Sequence, residues 1–380
     1  MRLRYRLTCL TPTLTGDGRK LSPIDYMVWR DQVNVLDQTR ILKLLAKGPR
    51  LEGYLSEIRK AEKLEFAAWG GFAQNYADRR IPFEHPSLSK VWSQVRGETL
   101  SIPTFATGTH GPYVPGSAIK GALRTGMLFA RWSDSPPKAD FQRERLPRRP
   151  GEASEEQALG PAGTSYMRAL KIADSAPAPA NAMRVYMLRT STLVPRGQGR
   201  FDLGWKQAPR ATVARADDAT PTFAEMAAPG TVFEGTLQEN QYLVQPEIAR
   251  LMRWRGTVNA ARVFDAANAY AEKLLAIQKQ YAERAGLEAV LRSLEAVEAR
   301  LAEVRGNGAV LAIGWGSGFL SKTGWLDTDS DGFRNFLRQI PLYARAIESG
   351  LPFPKTRRIV FMNGEPAALP GWVTLEVSPQ

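Results

Sequence analysis

The chemistry in this sequence is concentrated in two glycine-bearing stretches. The first is Tyr113–Gly126, "YVPGSAIKGALRTG". A Pro-Gly pair precedes a serine, and a run that reads as a helix follows. Gly116 and Ser117 stand at the helix start, where backbone amides lack partners within the helix and can hold a phosphate. Lys120 and Arg124 are four residues apart and share one face. Ile119, Leu123 and Met127 share another, which the spacing assigns to the core. Gly121 and Gly126 thin the helix where another group passes close by. The same residues also suit an ordinary packed helix with a good cap.

The second stretch, residues 314–323, reads "GWGSGFLSKT". Gly314, Gly316 and Gly318 alternate with Trp315 and Ser317, and Phe319 and Lys322 follow. Such a loop is flat, rich in free amides and hydroxyls, and open to close approach by a sugar–phosphate chain. Trp315 and Phe319 either stack bases, as in single-strand binders, or pack beneath the loop. The stretch fails as a nucleotide P-loop. Counting G-x-x-x-x-G-K-[ST] from Gly316 puts Ser321 where the second glycine is needed, and "GWLDTDSDG" follows instead of a helix.

Groups able to catalyse are scarce. Cys9 is the single cysteine, which excludes an internal disulfide and a multi-cysteine zinc site. It alternates with Leu3, Tyr5 and Leu7 and reads as a buried strand residue. The two histidines, His85 in "PFEHPS" and His110 in "TGTHGP", fall in loop-like segments. His110 lies just ahead of Gly116, so an imidazole there, with Lys120 steadying a phosphate, is the strongest candidate for RNA cleavage. Asp17, Asp25 and Asp31 show no evident pairing. We therefore expect no catalytic residue, no metal and no cofactor.

Fifty-one Lys and Arg against 38 Asp and Glu give a net charge of +13 and a pI near 9.9, a balance that points to a polyanion, most often nucleic acid. No apolar run approaches the length of a membrane span, and the start lacks the apolar core of a signal peptide. A cytoplasmic protein is expected.

These residues need a scaffold of mixed type. Residues 2–10 alternate strictly, giving a half-buried strand with Arg2, Arg4 and Arg6 on its outer face. "YMVWRDQVNVLD" reads as a hairpin, with Asp37 capping the helix after it. Residues 50–78 read as mostly helical. Residues 133–165, rich in Pro, Gly and charge, read as an inserted loop whose basic part runs from Lys138 to Arg149. A β-rich region lies near 183–205. A helical hairpin spans 260–305, its second arm marked by Leu287, Leu294 and Leu301 and by Val290, Val297 and Val304. A helix near 332–348 and two strands close the chain.

"VPGSAIKGALRTG" resembles the signature of the RAMP superfamily of CRISPR proteins, and "GWGSGFLSKT" resembles their C-terminal glycine-rich loop. "LTPTLTGDGRKLSPIDYMVW" and "PKTRRIV…PGWVTLEV" narrow the resemblance to the fifth Csm subunit of type III-A effector complexes. The resemblance implies an α+β fold of two modified ferredoxin-like (RRM-like) RAMP units with inserted loops and a helical hairpin. One unit would span 1–185 with the insertion 133–165. The other would span 186–380 with a helical insertion at 246–305 and the loop at 314–323. It further implies a non-catalytic subunit that binds crRNA and caps the 3′-proximal end of the filament. Expected partners are crRNA, the adjacent repeated RAMP backbone subunit, the small helical Csm subunit, target RNA and, transiently, host nucleases that trim the crRNA 3′ end. The residues expected at the RNA are Gly116, Ser117, Lys120, Arg124, Gly314, Gly316, Ser317, Gly318, Lys322 and Arg357. Two rivals stand beside it. One is a RAMP endoribonuclease acting on crRNA precursor or target RNA. The other is an unrelated RRM-like RNA-binding protein, against which the absence of RNP aromatics counts.

Overall fold

A computed structural model describes the chain except residues 47, 61–62, 64–74, 138–149, 198–199, 255 and 257. Period-two alternation sets the first strand. β1 (Arg2–Cys9) buries Leu3, Tyr5, Leu7 and Cys9 and exposes Arg2, Arg4 and Arg6. β2 (Tyr26–Trp29) and β3 (Gln32–Leu36) form the expected hairpin, with Arg30 at φ 55 in the reversal. The Asp37 carboxylate accepts the Arg40 amide at 2.9 Å and so caps α1 (Gln38–Leu45). Helix holds for α2 (Arg50–Arg59), but β4 (Ala77–Pro82) adds a third strand to the hairpin. Residues 64–74 of the expected helical region lie outside the described residues.

α3 (Gly116–Asp134) buries Ile119, Leu123 and Met127, as their spacing predicts. The expected insertion at 133–165 is not all loop: α4 (Pro150–Leu159) lies within it. Its Glu, Gln, Ala and Leu residues are good helix formers, but neighbouring Pro and Gly obscure the pattern. The basic run 138–149 lies outside the described residues. β5 (Leu170–Ile172), β6 (Met183–Gly197), β7 (Arg200–Gln207), β8 (Ala211–Val213), β9 (Thr222–Ala227) and β10 (Val232–Glu239) follow. The helical hairpin is α5 (Ala260–Arg284), capped by Asn259, and α6 (Glu288–Val304), which buries Val290, Leu294, Val297, Leu301 and Val304.

Beyond β11 (Gly308–Ala312), the single helix expected near 332–348 is two, α7 (Asp331–Arg338) and α8 (Pro341–Glu348). Pro341 forces the residue before it out of helical geometry, and Ile340 is extended. The chain closes on three strands and not two: β12 (Thr356–Met362), β13 (Glu365–Ala368) and β14 (Trp372–Pro379).

One sheet has the antiparallel order β11-β14-β1-β10-β5, and α5 packs against both α3 and β11. The Asn268 side chain ties α5 to β11, donating to Gly308 O at 2.9 Å and accepting Val310 N at 3.0 Å. A second sheet has the order β8-β7-β6-β12-β13, with β9 also on β6. The boundary expected at 185/186 falls inside β6, and β14 from the end of the sequence pairs with β1 from its start. Strand pairing across that separation leaves no mark in a local pattern.

Candidate nucleic-acid interface

The segment after β1 holds the site together. Thr13 exchanges two backbone hydrogen bonds with Ala227 of β9, at 3.1 and 2.8 Å. Leu14 O accepts Trp315 N at 2.7 Å, and Thr15 O accepts Ala106 N at 2.9 Å. The glycine loop thus lies directly on Leu14. Gly314, at φ 78, allows this, because a Cβ there would stand 2.1 Å from Leu14 O. The outcome is a groove of about 630 Å³ between three segments: Thr15–Lys20, the first turns of α3, and the glycine loop. Ser117 and Gly121 line it from α3, and Gly314, Trp315 and Lys322 from the loop.

Its electrostatics favour an anion. Among the described residues no carboxylate lines the groove, whereas Arg19, Lys20 and Lys322 do. Asp17 engages Arg19 at 3.3 Å, but Lys20 and Lys322 make no ion pair among the described residues. Desolvation lowers the pKa of the Lys322 ammonium. Thr15 lines the groove too, but its hydroxyl is turned into the protein, buried and without a hydrogen-bond partner among the described residues.

The other expected residues divide. Gly116 donates its amide to Asp174 Oδ1 at 2.8 Å, and a Cβ there would meet Ile172 O at 2.4 Å. It is a packing glycine, and its amide is already taken. Lys120 Nζ donates to Leu170 O at 2.8 Å, and burial, then Arg168, lowers its pKa. Arg124 pairs with Glu155 of α4 at 2.6 Å. The two α3 cations therefore hold β5 and α4 in place and do not line the groove. Gly316, Ser317 and Gly318 sit on the loop's other side, around a depression of about 250 Å³. The Ser317 hydroxyl is committed to Gly314 O at 2.9 Å. Ser321 Oγ lies 2.7 Å from Ser317 Oγ within a single turn of 3-10 helix, Leu320–Lys322. Gly318 is exposed, with open space where a Cβ would point.

Arg357 is also placed differently from expectation. It is 7% exposed, donates to Gln278, Pro354 and Thr356, and stacks on Tyr281 at 4.4 Å. Burial brings its pKa down to about 10. Its neighbour Arg358 is exposed, lines the smaller depression, and lies 4.3 Å over the Trp315 ring. Alternation alone does not separate the two arginines, because Ile359, Val360 and Phe361 on both faces of the strand are all buried. Sequence reasoning also missed Thr15, Arg19 and Lys20. Of the two loop aromatics, Phe319 packs beneath, against Tyr343 and Phe353 at 5.3 and 5.2 Å.

The candidate catalysts do not converge. His110 stands exposed at the turn between Thr107–Gly108 and Gly111–Pro112. His85 Nδ1 lies 2.8 Å from Ser87 Oγ, and the Asp25 carboxylate accepts the Ser22 amide and hydroxyl at 2.7 and 2.6 Å. None of the three lines the groove. Among the described residues there is no group of three or more His, Cys, Asp or Glu placed to hold a metal, and no helix is long and apolar enough to cross a membrane.

The chain belongs to the RAMP superfamily, whose family model matches residues 6–321. More particularly, it is similar to Csm5 proteins. The CRISPR system Cms protein Csm5 of Methanocaldococcus jannaschii is 21% identical over 151 residues, 36% of this chain, and the chain covers 32% of that relative's length. A chain of the Csm-crRNA-target RNA ternary complex of a type III-A CRISPR-Cas system superposes with a TM-score of 0.64 at 20% identity, covering 98% of this chain and 100% of that one. Csm5 of T. onnurineus superposes with a TM-score of 0.61 at 18% identity, covering 97% and 99%.

Proposed function

We propose that this chain is a non-catalytic, crRNA-binding subunit of a type III-A Csm effector complex, acting in the cytoplasm and capping the 3′-proximal end of the filament. The observation that carries the reading is the groove. Three distant segments meet there, offering backbone amides, hydroxyls and unpaired lysines, with no carboxylate among the described lining residues. Guide phosphates lie against Lys20, Lys322 and the Ser117 end of α3, with bases beside Trp315. Similarity to Csm5, and to a chain solved within a Csm-crRNA-target RNA complex, supports the adjacent RAMP backbone subunit as the main protein partner. The small helical Csm subunit, target RNA and host trimming nucleases are further contacts in this reading.

The first sheet supports the ferredoxin-like reading. Its elements follow the order β1-α3-β5-β10-α5-β14, a βαββαβ unit with strands in the order 4-1-3-2 and β11 added at one edge. We read the sheet around β6 as the second modified unit.

The test is co-expression of the tagged subunit with the other effector proteins and a guide array. A discrete small RNA and a set of RAMP partners should co-purify, and Lys20→Ala with Lys322→Ala should reduce the guide retained. Isolation of the chain alone would refute the proposal. Labelled guide and target RNAs, with and without magnesium, should be cut identically by wild-type complexes and by those carrying His85→Ala, His110→Ala or Asp25→Ala. A fully assembled His110→Ala or Asp25→Ala complex that loses one cut would make the protein an endoribonuclease.

A further inference from the structure

The groove lies at the end of β1 where Cys9 leads into the Leu14 loop. The strand's other end carries a different feature, on the outward face of the first sheet. Residues directly opposite each other across a strand pair share a face, so the register defines rows. Arg2 is opposite Gln238, which is opposite Lys171. Arg4 lies between Thr236 and Ser378. Arg6 lies between Glu234 and Glu376.

The rows differ in how charge is balanced. Arg6 has a glutamate on either side, with Glu234 at 3.9 Å. Arg2, Arg4 and Lys171 are exposed and form no ion pair among the described residues. Their cross-strand neighbours are amide and hydroxyl groups. Arg2 and Arg4 stand on the central strand β1 and Lys171 on the edge strand β5, so the cations run from the middle of the sheet face to one rim. A solvated face needs no such concentration, and the chain neutralises the neighbouring arginine on the same strand.

From this arrangement we propose that the Arg2–Arg4–Lys171 face is a second RNA-backbone contact, separate from the groove and indifferent to base sequence. Point cations interleaved with Gln, Thr and Ser are the side-chain set that binds phosphate and ribose oxygens. A protein-docking face would carry an apolar or aromatic centre; the positions filling these rows are all polar or charged. No aromatic stands in the rows to stack a base, so the contact is to the backbone. The face stands on its own observations and does not depend on the groove.

The experiment uses the full chain and a labelled oligouridylate, with affinity measured by anisotropy across a salt series. Arg2→Ala, Arg4→Ala and Lys171→Ala together should weaken binding about tenfold or more at roughly 0.1 M salt and flatten the log–log salt slope by about 2, near 0.7 per lost phosphate contact. Thermal unfolding should be unchanged. Arg2→Lys with Arg4→Lys should keep the wild-type slope, because a point charge suffices. Lys20→Ala with Lys322→Ala tests the groove separately: an effect of the triple variant without one of this pair would count against the groove reading and leave this one standing. A folded triple variant with wild-type affinity and slope overturns the proposal. So does one that binds RNA normally but loses a neighbouring subunit from the assembled complex, which would make the face a dock for an acidic protein surface.

Discussion

The two glycine stretches look alike as sequence and differ as structure. Each combines glycine, serine and lysine near an expected helix or turn. In the first, the polar groups are committed to the protein: the Gly116 amide to Asp174, Lys120 to Leu170 O, and Arg124 to Glu155. What it offers a ligand is Ser117 and the bare surface at Gly121. In the second, Lys322 has no ion-pair partner among the described residues, Gly318 faces open space, and Trp315 lies under the guanidinium of the exposed Arg358. One stretch is a wall of the groove, and the other adds Lys322 to the charge of Arg19 and Lys20. The difference is set by partners remote in sequence, so a local motif cannot decide whether a cation binds ligand or holds the fold.

If α3 is chiefly a packed wall, its core face should show the largest effect. Leu123 is fully buried, and Leu123→Ala should cost about 2–5 kcal/mol in chemical denaturation. RNA affinity per folded molecule should not change. A loss below about 1 kcal/mol would mean that α3 is not held as its burial indicates. The glycine loop gives the next test. Gly314 and Gly318 share a positive φ, which an alanine adopts at a cost of about 1–3 kcal/mol. Only at Gly314 does the new Cβ also meet backbone, 2.1 Å from Leu14 O. Gly314→Ala should therefore lower stability and RNA affinity more than Gly318→Ala. Equal effects on both would show that contact with Leu14 does not position the loop.

How much of this was legible in sequence follows from the range of the interactions. The β1 alternation, the Asp37 cap and the apolar stripe of α6 depend on neighbours within a turn or a strand, and the sequence carries them. The Gly314 contact with Leu14 and the pairing of β1 with β14 depend on residues from opposite ends of the chain. Of the candidate site, Gly318 and Lys322 in the C-terminal loop were readable as exposed groups, and Lys322 lines the groove. Lys120 and Arg124 were readable as a cationic pair, but their acceptors lie on β5 and α4. Arg358 was not separable from Arg357 by counting in twos, because Ile359, Val360 and Phe361 are all apolar and all buried.

The loop's aromatic should affect binding more than stability. Trp315 is only half-buried and lines the groove, so Trp315→Ala should weaken single-stranded RNA binding by about 1–3 kcal/mol per stacked base. Little change in the salt slope should accompany it, because no phosphate contact is removed. A large slope change with Trp315→Ala would mean that the tryptophan acts by holding Arg358 over a phosphate. Lys120→Met should do the reverse. It removes the bond to Leu170 O, costing about 1 kcal/mol of stability, and should leave the salt slope at the wild-type value. A flattened slope would return Lys120 to the RNA.

The smallest expected effect is at Arg124, and it separates the two stretches most cleanly. The pair with Glu155 is close, at 2.6 Å, but both side chains are about one-third exposed, at 34% and 32%. Water competes for each partner, and a pair of this kind contributes about 0–1 kcal/mol. Arg124→Ala should therefore shift the unfolding midpoint slightly, and Glu155→Ala should shift it by a similar amount. The double variant should lose little more than either single one, because the shared interaction is already gone. RNA affinity and its salt dependence should match wild type in all three. Stronger RNA binding by Glu155→Ala, together with weaker binding by Arg124→Ala, would mean that Glu155 restrains a cation that otherwise reaches phosphate. In that outcome α3 would share the RNA-binding role assigned here to the glycine loop.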